Sequence, residues 1–348
     1  MSEMLSAAEI RAARENADGK RDRDLAASLG ISEAQLVAAR IGHGATRIAH
    51  SPDTVMPLLK ELGDVLALTR NDACVHERVG TFEDYRSGPH AAMVLGKEID
   101  TRIFPKHWGF GFALEEETPR GLRRSLQFFD LAGDALQKVY LREGSHEEAW
   151  APLVEKLATG DSSDRIEVAP RPPVEGPRTN SAKRDVLVEE WKRMTDTHQF
   201  NRLTSKLGMN RLGAYHLAGH PFARAVDPGA VPAFFEKTAE AGQKVIYFVG
   251  NRGNIQIHWG LFENIKTVGP WLNVLDDRFH MHLRAGDVAE LYVIDKPTKR
   301  GPAVSLEAFD AEGGLIFQCF GQRESEDDEL ARWHDILDGL PARREAAE

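Results

Sequence analysis

Cysteine is almost absent. Cys74 and Cys319 are the two cysteines in 348 residues, so no disulfide framework is expected and a reducing cytoplasm is the expected location. Long hydrophobic runs are missing too. No apolar stretch reaches the length of a bilayer span, so membrane insertion is not expected. The opening residues, MSEMLSAAEIRAARENADGKRDRD, lack the apolar segment of a secretory signal. Positive charge is in deficit, with 44 Lys and Arg against 54 Asp and Glu. The net charge of −10 disfavours nucleic acid and anionic membrane as partners. There is no Gly-rich phosphate loop behind a strand, no G-x-S-x-G elbow, no C-x-x-C pair, and no flavin or nicotinamide motif. These absences exclude the commonest nucleotide, hydrolase and dithiol chemistries.

What is present is organised in two parts. Residues 6–16 read as a helix. RDRDLAASLGISEAQLVAAR then reads as helix, Leu-Gly turn, helix, with Ser32 and Gln35 spaced as a capping box. A DNA-reading role for that pair is weak, because the second helix opens with Glu33 and carries little positive charge. From Val55 to Leu141 the pattern turns to strands: after the short helix MPLLKEL come VLALTR, ACVHERVG, AAMVLG, IDTRIF, WGFGFAL, RSLQFFD and ALQKVYL. Turn signals separate them, as in an antiparallel meander. Residues 161–185 hold four prolines and few apolar side chains and read as a linker. The scheme then recurs. Gly80-Thr-Phe-Glu returns 180 residues on as Gly260-Leu-Phe-Glu, as do Asn71 in Asn251, Ser125-Leu126 in Ser305-Leu306 and Phe129-Asp130 in Phe309-Asp310. Leu29-Gly30 returns as Leu207-Gly208 after 178. The expected fold is therefore α+β, a tandem structural repeat, each half a large antiparallel sheet flanked by helices. The expected division is 1–160, a linker at 161–185, and 186–348.

The halves differ in their polar residues. His198 corresponds to Lys20, and Arg102 corresponds to His282, which suggests one functional pocket on a shared scaffold. Leu187, Trp191 and Met194 recur at helical spacing, and His198 continues that stripe if the helix does. Alternatively Asp196 and Gln199 form a capping box, a second helix starts at Asp196, and His198 lies in its first turn. Taken alone, His198 reads either as a metal ligand or as a hydrogen-bonded histidine on an apolar face. His280 and His282 share one face of a strand, as a metal pair needs, with His258 as a candidate third ligand. A mononuclear metal enzyme is thus a minor alternative. IDKPTKRG and FQCFGQRE supply Lys296, Lys299, Arg300, Gln318, Gln322 and Arg323, either as solvated strand ends or as a cradle for a flat anionic ligand.

Five pieces carry a family resemblance: Trp191-x-x-Met194-Thr-Asp-x-His198-Gln-Phe, Ile99-Asp-x-Arg102-Ile-Phe, Lys296-Pro-Thr, Ser305-Leu-Glu-x-Phe309 and Phe320-Gly-Gln-Arg323. Together with the tandem repeat, they resemble the bacterial haemin-degrading factor family, the HemS/ChuX-like haem-utilisation proteins. The resemblance implies haem b, as substrate or cargo, in a cleft of the second half. It implies His198 as axial iron ligand and Arg102 as the distal arginine, with both in catalytic roles. Lys296 and Arg323 match cations near the propionates, and Arg211, Phe248 and Gln318 match further pocket positions. At Phe317 some relatives carry Tyr, so one propionate hydrogen bond is missing here if that hydroxyl makes it. Gln318 and Arg323 lie on opposite faces under strict alternation and reach one pocket if Gly321 allows a bulge. Two functions fit. One is oxidative haem degradation that releases iron, fed by an external electron donor. The other is a haem chaperone that takes haem from an ABC importer to a separate haem oxygenase. A homodimer is compatible with either.

Overall fold

The computed structural model describes residues 5–17, 19–322 and 327–343. It is a tandem α+β repeat in which each of two units carries a large antiparallel sheet flanked by helices. Unit 1 comprises residues 1–70, 76–172 and 250–256, and unit 2 comprises residues 71–75, 173–249 and 257–348.

Unit 1 opens with α1 (Ala7–Glu15), α2 (Asp22–Leu29) and α3 (Glu33–Ala38). Next come β1 (Ala45–Ile48), α4 (Pro52–Leu59), β2 (Gly63–Arg70) and β3 (Cys74–Gly80). The small strands β4 (Asp84–Arg86), β5 (Ala92–Leu95) and β6 (Asp100–Ile103) precede the long β7 (Phe110–Thr118), β8 (Gly121–Phe129) and β9 (Ala135–Ser145), and α5 (Trp150–Leu157) closes the unit. The sheet order is β1-β7-β8-β9-β2-β3, and β6-β5-β4 form a small meander. The expected Ser32–Gln35 box is present: Ser32 Oγ accepts from Gln35 N–H at 3.2 Å, and Gln35 Oε1 accepts from Ser32 N–H at 2.9 Å. Gly30 ends α2 at φ 68°, the left-handed turn that lets α3 fold back, and Gly208 repeats it at φ 72°. Alternation along β2 sends Val65 and Ala67 into a core under α4 and α5, while Leu66 and Leu68 stay half-exposed on the other face.

Unit 2 repeats the sequence of elements. Three helices, α6 (Arg184–Lys192), α7 (Gln199–Lys206) and α8 (Arg211–Ala218), lead to β10 (Ala223–Val226), α9 (Val231–Glu240), β11 (Val245–Gly250) and β12 (Asn254–Gly260). Then follow β13 (Ile265–Val268), β14 (Trp271–Leu275), β15 (Phe279–Arg284), β16 (Glu290–Lys296), β17 (Ala303–Phe309), β18 (Leu315–Gly321) and α10 (Asp327–Asp338). The order β10-β16-β17-β18-β11-β12 copies unit 1, with β15-β14-β13 as the smaller meander. One sheet face packs on α9 and α10 through Tyr247, Leu306, Phe317 and Cys319. The other receives α6, α7 and α8 on Tyr292, Ile294 and Phe309.

Two turns are assigned across the sequence halves. Residues 250–256 belong to unit 1, where Asn251 Nδ2 donates to the Arg70 and Leu136 carbonyls at 3.0 and 2.9 Å, and Gly253 O accepts from the Trp108 indole at 3.0 Å. Residues 71–75 belong to unit 2, where Asn71 Nδ2 donates to the Ile316 carbonyl at 2.8 Å. The segment after Pro172 is irregular but held. Arg178 and Asn210 exchange two bonds, Arg178 N–H to Asn210 Oδ1 at 2.9 Å and Asn210 N–H to Arg178 O at 3.2 Å. That close approach needs Gly213 in α8, since a Cβ there would lie 2.0 Å from the Arg178 carbonyl oxygen. Gly213→Ala is expected to force the strap off the helix and to cost about 1–3 kcal/mol, read as a lower denaturant midpoint.

Candidate functional site

His198 sits at the start of α7, on a turn fixed from several sides. Trp191 is buried at the end of α6, donates its indole N–H to the Asp295 carbonyl at 2.9 Å, and packs on Phe200 at 4.5 Å and Phe222 at 5.1 Å. These rings hold α6 and α7 on the sheet. Between them, Gln199 Oε1 accepts from the backbone of Thr195 at 2.8 Å and of Asp196 at 3.3 Å, and Lys299 N–H bonds to Thr195 O at 3.0 Å. Asp196 makes only half of the capping box that its spacing with Gln199 suggests: its backbone N–H reaches Gln199 Oε1, but its carboxylate does not take the Gln199 N–H. Its Oδ1 accepts instead from His198, from the backbone N–H at 2.8 Å and from ring Nδ1 at 2.7 Å. The helix therefore begins at Gln199, with His198 as its N-cap residue and not in the first turn. The imidazole is 94% exposed, unlike Leu187, Trp191 and Met194, so it does not continue their buried stripe. The bonds from His198 hold the Asp196 carboxyl below its ordinary range.

Behind this turn lies a buried charge cluster. Glu307 on β17 is fully buried and accepts from Lys296 Nζ at 2.8 Å, Arg211 at 2.9 Å, Tyr215 OH at 2.8 Å and Ser305 Oγ at 3.0 Å. Lys296 also donates to Tyr215 OH at 3.0 Å and lies 4.9 Å from the centre of the Phe200 ring. Burial alone would raise the Glu307 carboxyl, but Lys296 and Arg211 overcome it and hold it well below the usual carboxylate range. Burial pushes the Lys296 ammonium down to about 8, with Glu307 opposing that shift and Arg211 adding to it. The cluster of two cations and one carboxylate keeps one net positive charge. Lys296 is sealed inside it, whereas a quarter of the Arg211 side chain reaches solvent.

The sheet face beyond the cluster is apolar and half-exposed. Gln318 on β18 stands opposite both Glu307 and Phe248, and Phe320 stands opposite Ile246, so these side chains share one face. The Phe248 and Phe320 rings meet at 5.7 Å, edge to face. Phe317 is elsewhere. Alternation turns it to the opposite face, into the core against Tyr247 at 5.3 Å, so it does not share the face of Gln318, where the neighbouring aromatic is Phe320. Arg323 lies outside the described residues. Arg102 is on β6 in unit 1, where its guanidinium pairs with Asp100 and bonds to the Thr101 carbonyl at 3.1 Å. His280 and His282 share a face of β15 with rings 6.3 Å apart, and His282 Nδ1 lies 2.6 Å from Asn273 Oδ1. His258 does not join them, because it is stacked in the core on Phe279 at 3.8 Å with Nε2 on the Leu261 carbonyl.

Unit 1 fills the matching positions differently. Glu33, the counterpart of Arg211, pairs with Lys138, the counterpart of Gln318, and with Arg70 at 2.8 Å. Glu307 is matched by Gln127, and His198 by the exposed Lys20.

A family model described as the haemin-degrading HemS/ChuX domain matches residues 30–157 and again 208–340. The chain belongs to this family. It is 36% identical over 321 residues to the hemin transport protein HemS of Yersinia enterocolitica, covering 92% of each chain. It superposes on holo-PhuS, a heme-binding protein from Pseudomonas aeruginosa, with a TM-score of 0.91 at 39% identity, over 97% of this chain and all of that one. It also matches ChuS, an E. coli heme oxygenase, with a TM-score of 0.83 at 34% identity, over 93% of this chain and 97% of that one. Among the described residues no helix is long and apolar enough to cross a membrane.

The buried pair makes a pH prediction. Glu307 has its folded pKa below the ordinary 4.5, so below that pH the unfolded chain binds more protons than the folded one. Its stabilising contribution is complete above about pH 4.5 and falls as pH drops further. Glu307→Gln is expected to cost about 3–5 kcal/mol at neutral pH, by stranding Lys296 and Arg211, and to flatten the acid limb of the unfolding midpoint against pH.

Proposed function

We propose that this protein binds haem in unit 2 with His198 as the axial ligand, and that it opens the macrocycle oxidatively to release iron. The observation that carries this reading is the His198 turn: an exposed imidazole, held by Nδ1, in the helical layer of a unit whose sheet also offers half-exposed Phe248 and Phe320. The residues fit the group. Haem brings an apolar plane, which Phe248, Phe320 and Ile246 can cover, and two carboxylates, which favour a net positive surrounding. Lys296 is committed to Glu307, so it acts on the propionates as part of the cluster's net charge. Arg211, a quarter exposed, and the exposed Lys299 are cations that do reach solvent. Imidazole is a standard haem ligand. Haem supplies the redox chemistry, with O₂ or peroxide as oxidant, and electrons come from a separate donor. The chain's own residues bind the ring, orient it and present the imidazole.

A second reading, a chaperone that passes haem to a haem oxygenase, is favoured by the same exposure of His198 and by the relatives named for haem transport and binding. Cytoplasmic iron acquisition is the setting for both.

The test is a titration with haemin, followed by ascorbate in air with and without catalase. Loss of the Soret band and iron release in both arms is the expected result. Loss only without catalase means bleaching by free peroxide, and a stable complex means a carrier. No Soret shift on titration overturns haem binding itself. His198→Ala is expected to lower haem affinity by at least about 10–100-fold and to move the Soret band. An unchanged spectrum would pass the ligand role to His216 or His220. Arg102→Ala is expected to leave affinity within about threefold and to slow turnover, as an always-charged guanidinium in a catalytic role requires. Unaltered turnover would leave Arg102 a structural role.

A further inference from the structure

We propose that Asp196 is a positioning residue for the iron ligand: it holds the His198 ring in one tautomer and orientation and strengthens the imidazole as a donor. This inference rests on the reading of His198 as the axial ligand. A carboxylate can only accept hydrogen bonds, so the 2.7 Å contact puts the ring proton on Nδ1. Nε2 then carries the lone pair and faces outward from a 94% exposed side chain, with no protein partner among the described residues. The same Oδ1 accepts the His198 backbone N–H at 2.8 Å, so the carboxylate is located by the turn itself and does not wait for a ligand. Gln199, Thr195 and Lys299 fix that turn in their own right.

A charged acceptor on Nδ1 draws the proton away from the ring and makes Nε2 more basic, as second-layer partners of metal-bound histidines do. A more basic imidazole bonds iron more strongly and favours the ferric over the ferrous state. Asp196 therefore links the local turn to both affinity and redox poise. Lys20, at the matching place in unit 1, has neither the ring nor this bond.

Asn separates the electronic role from a structural one. Asp196→Asn keeps an oxygen that can accept both bonds and preserves the turn, yet it removes the charge. Asp196→Ala removes both. The haem complexes of the parent, of these two variants and of His198→Ala are compared by haemin titration, by the ferrous iron–histidine stretching band in resonance Raman, and by reduction potential. The expected result is an iron–histidine band at lower frequency and a more positive potential in Asp196→Asn, with larger shifts in Asp196→Ala. Affinity falls by about tenfold in the alanine variant. Parent-like band and potential in both Asp196 variants, with His198→Ala altered, would overturn the positioning role and leave the axial reading intact. An unaltered His198→Ala complex would overturn both.

Discussion

Unit 2 depends on the Glu307 carboxylate. A buried anion is tolerable only when fully paired, and this one accepts from Lys296, Arg211, Tyr215 and Ser305. Those partners come from β16, α8 and β17, so satisfying one charge ties the helical layer to the middle of the sheet. The aromatic cluster around Trp191 completes the attachment. The helices then cover Tyr292, Ile294 and Phe309 but leave Phe248, Phe320 and Gln318 half-exposed. The bare part of the sheet and the protruding His198 turn are two results of the same arrangement.

The two units show how one scaffold yields unequal sites. Each has two cations around one buried carboxylate, but the roles are dealt to different elements. In unit 2 the carboxylate comes from the sheet, at Glu307, and a cation from the helix, at Arg211. In unit 1 the helix supplies Glu33 and the sheet supplies Lys138 and Arg70. Lys138 takes the place that Gln318 holds in unit 2. The residue beside Phe248 is therefore a neutral glutamine, where unit 1 carries a lysine bonded to Glu33.

Much of this was legible in the sequence. The repeat at 180 residues, the long strands and the Ser32–Gln35 cap follow from pattern and spacing, which are local properties. β1 and β4, of four and three residues, were missed: ATRI and DYR carry few apolar side chains, unlike the equally short AMVL of β5. The start of α7 was misplaced because two hydrogen-bond schemes compete for Asp196 and Gln199, and spacing cannot say which backbone N–H each side chain takes. Phe317 was named from the resemblance, and alternation from Gln318 puts it on the other face of β18. The partner of Lys296 was within reach, since a strand lysine among apolar neighbours needs a carboxylate and Glu307 lies across the next hairpin. The exposure of His198 was not legible, because it depends on where α6 stops.

The assignment of residues 250–256 to unit 1 and 71–75 to unit 2 bears on how the gene can be divided. A fragment ending at residue 172 contains the whole first repeat as written in sequence, yet not the whole first unit. It lacks the Gly253 carbonyl that receives the Trp108 indole and the Asn251 amide that caps Arg70 and Leu136. The sequence therefore repeats with a period that the two units do not follow, and a cut at the proline-rich segment takes from unit 1 a turn that belongs to it.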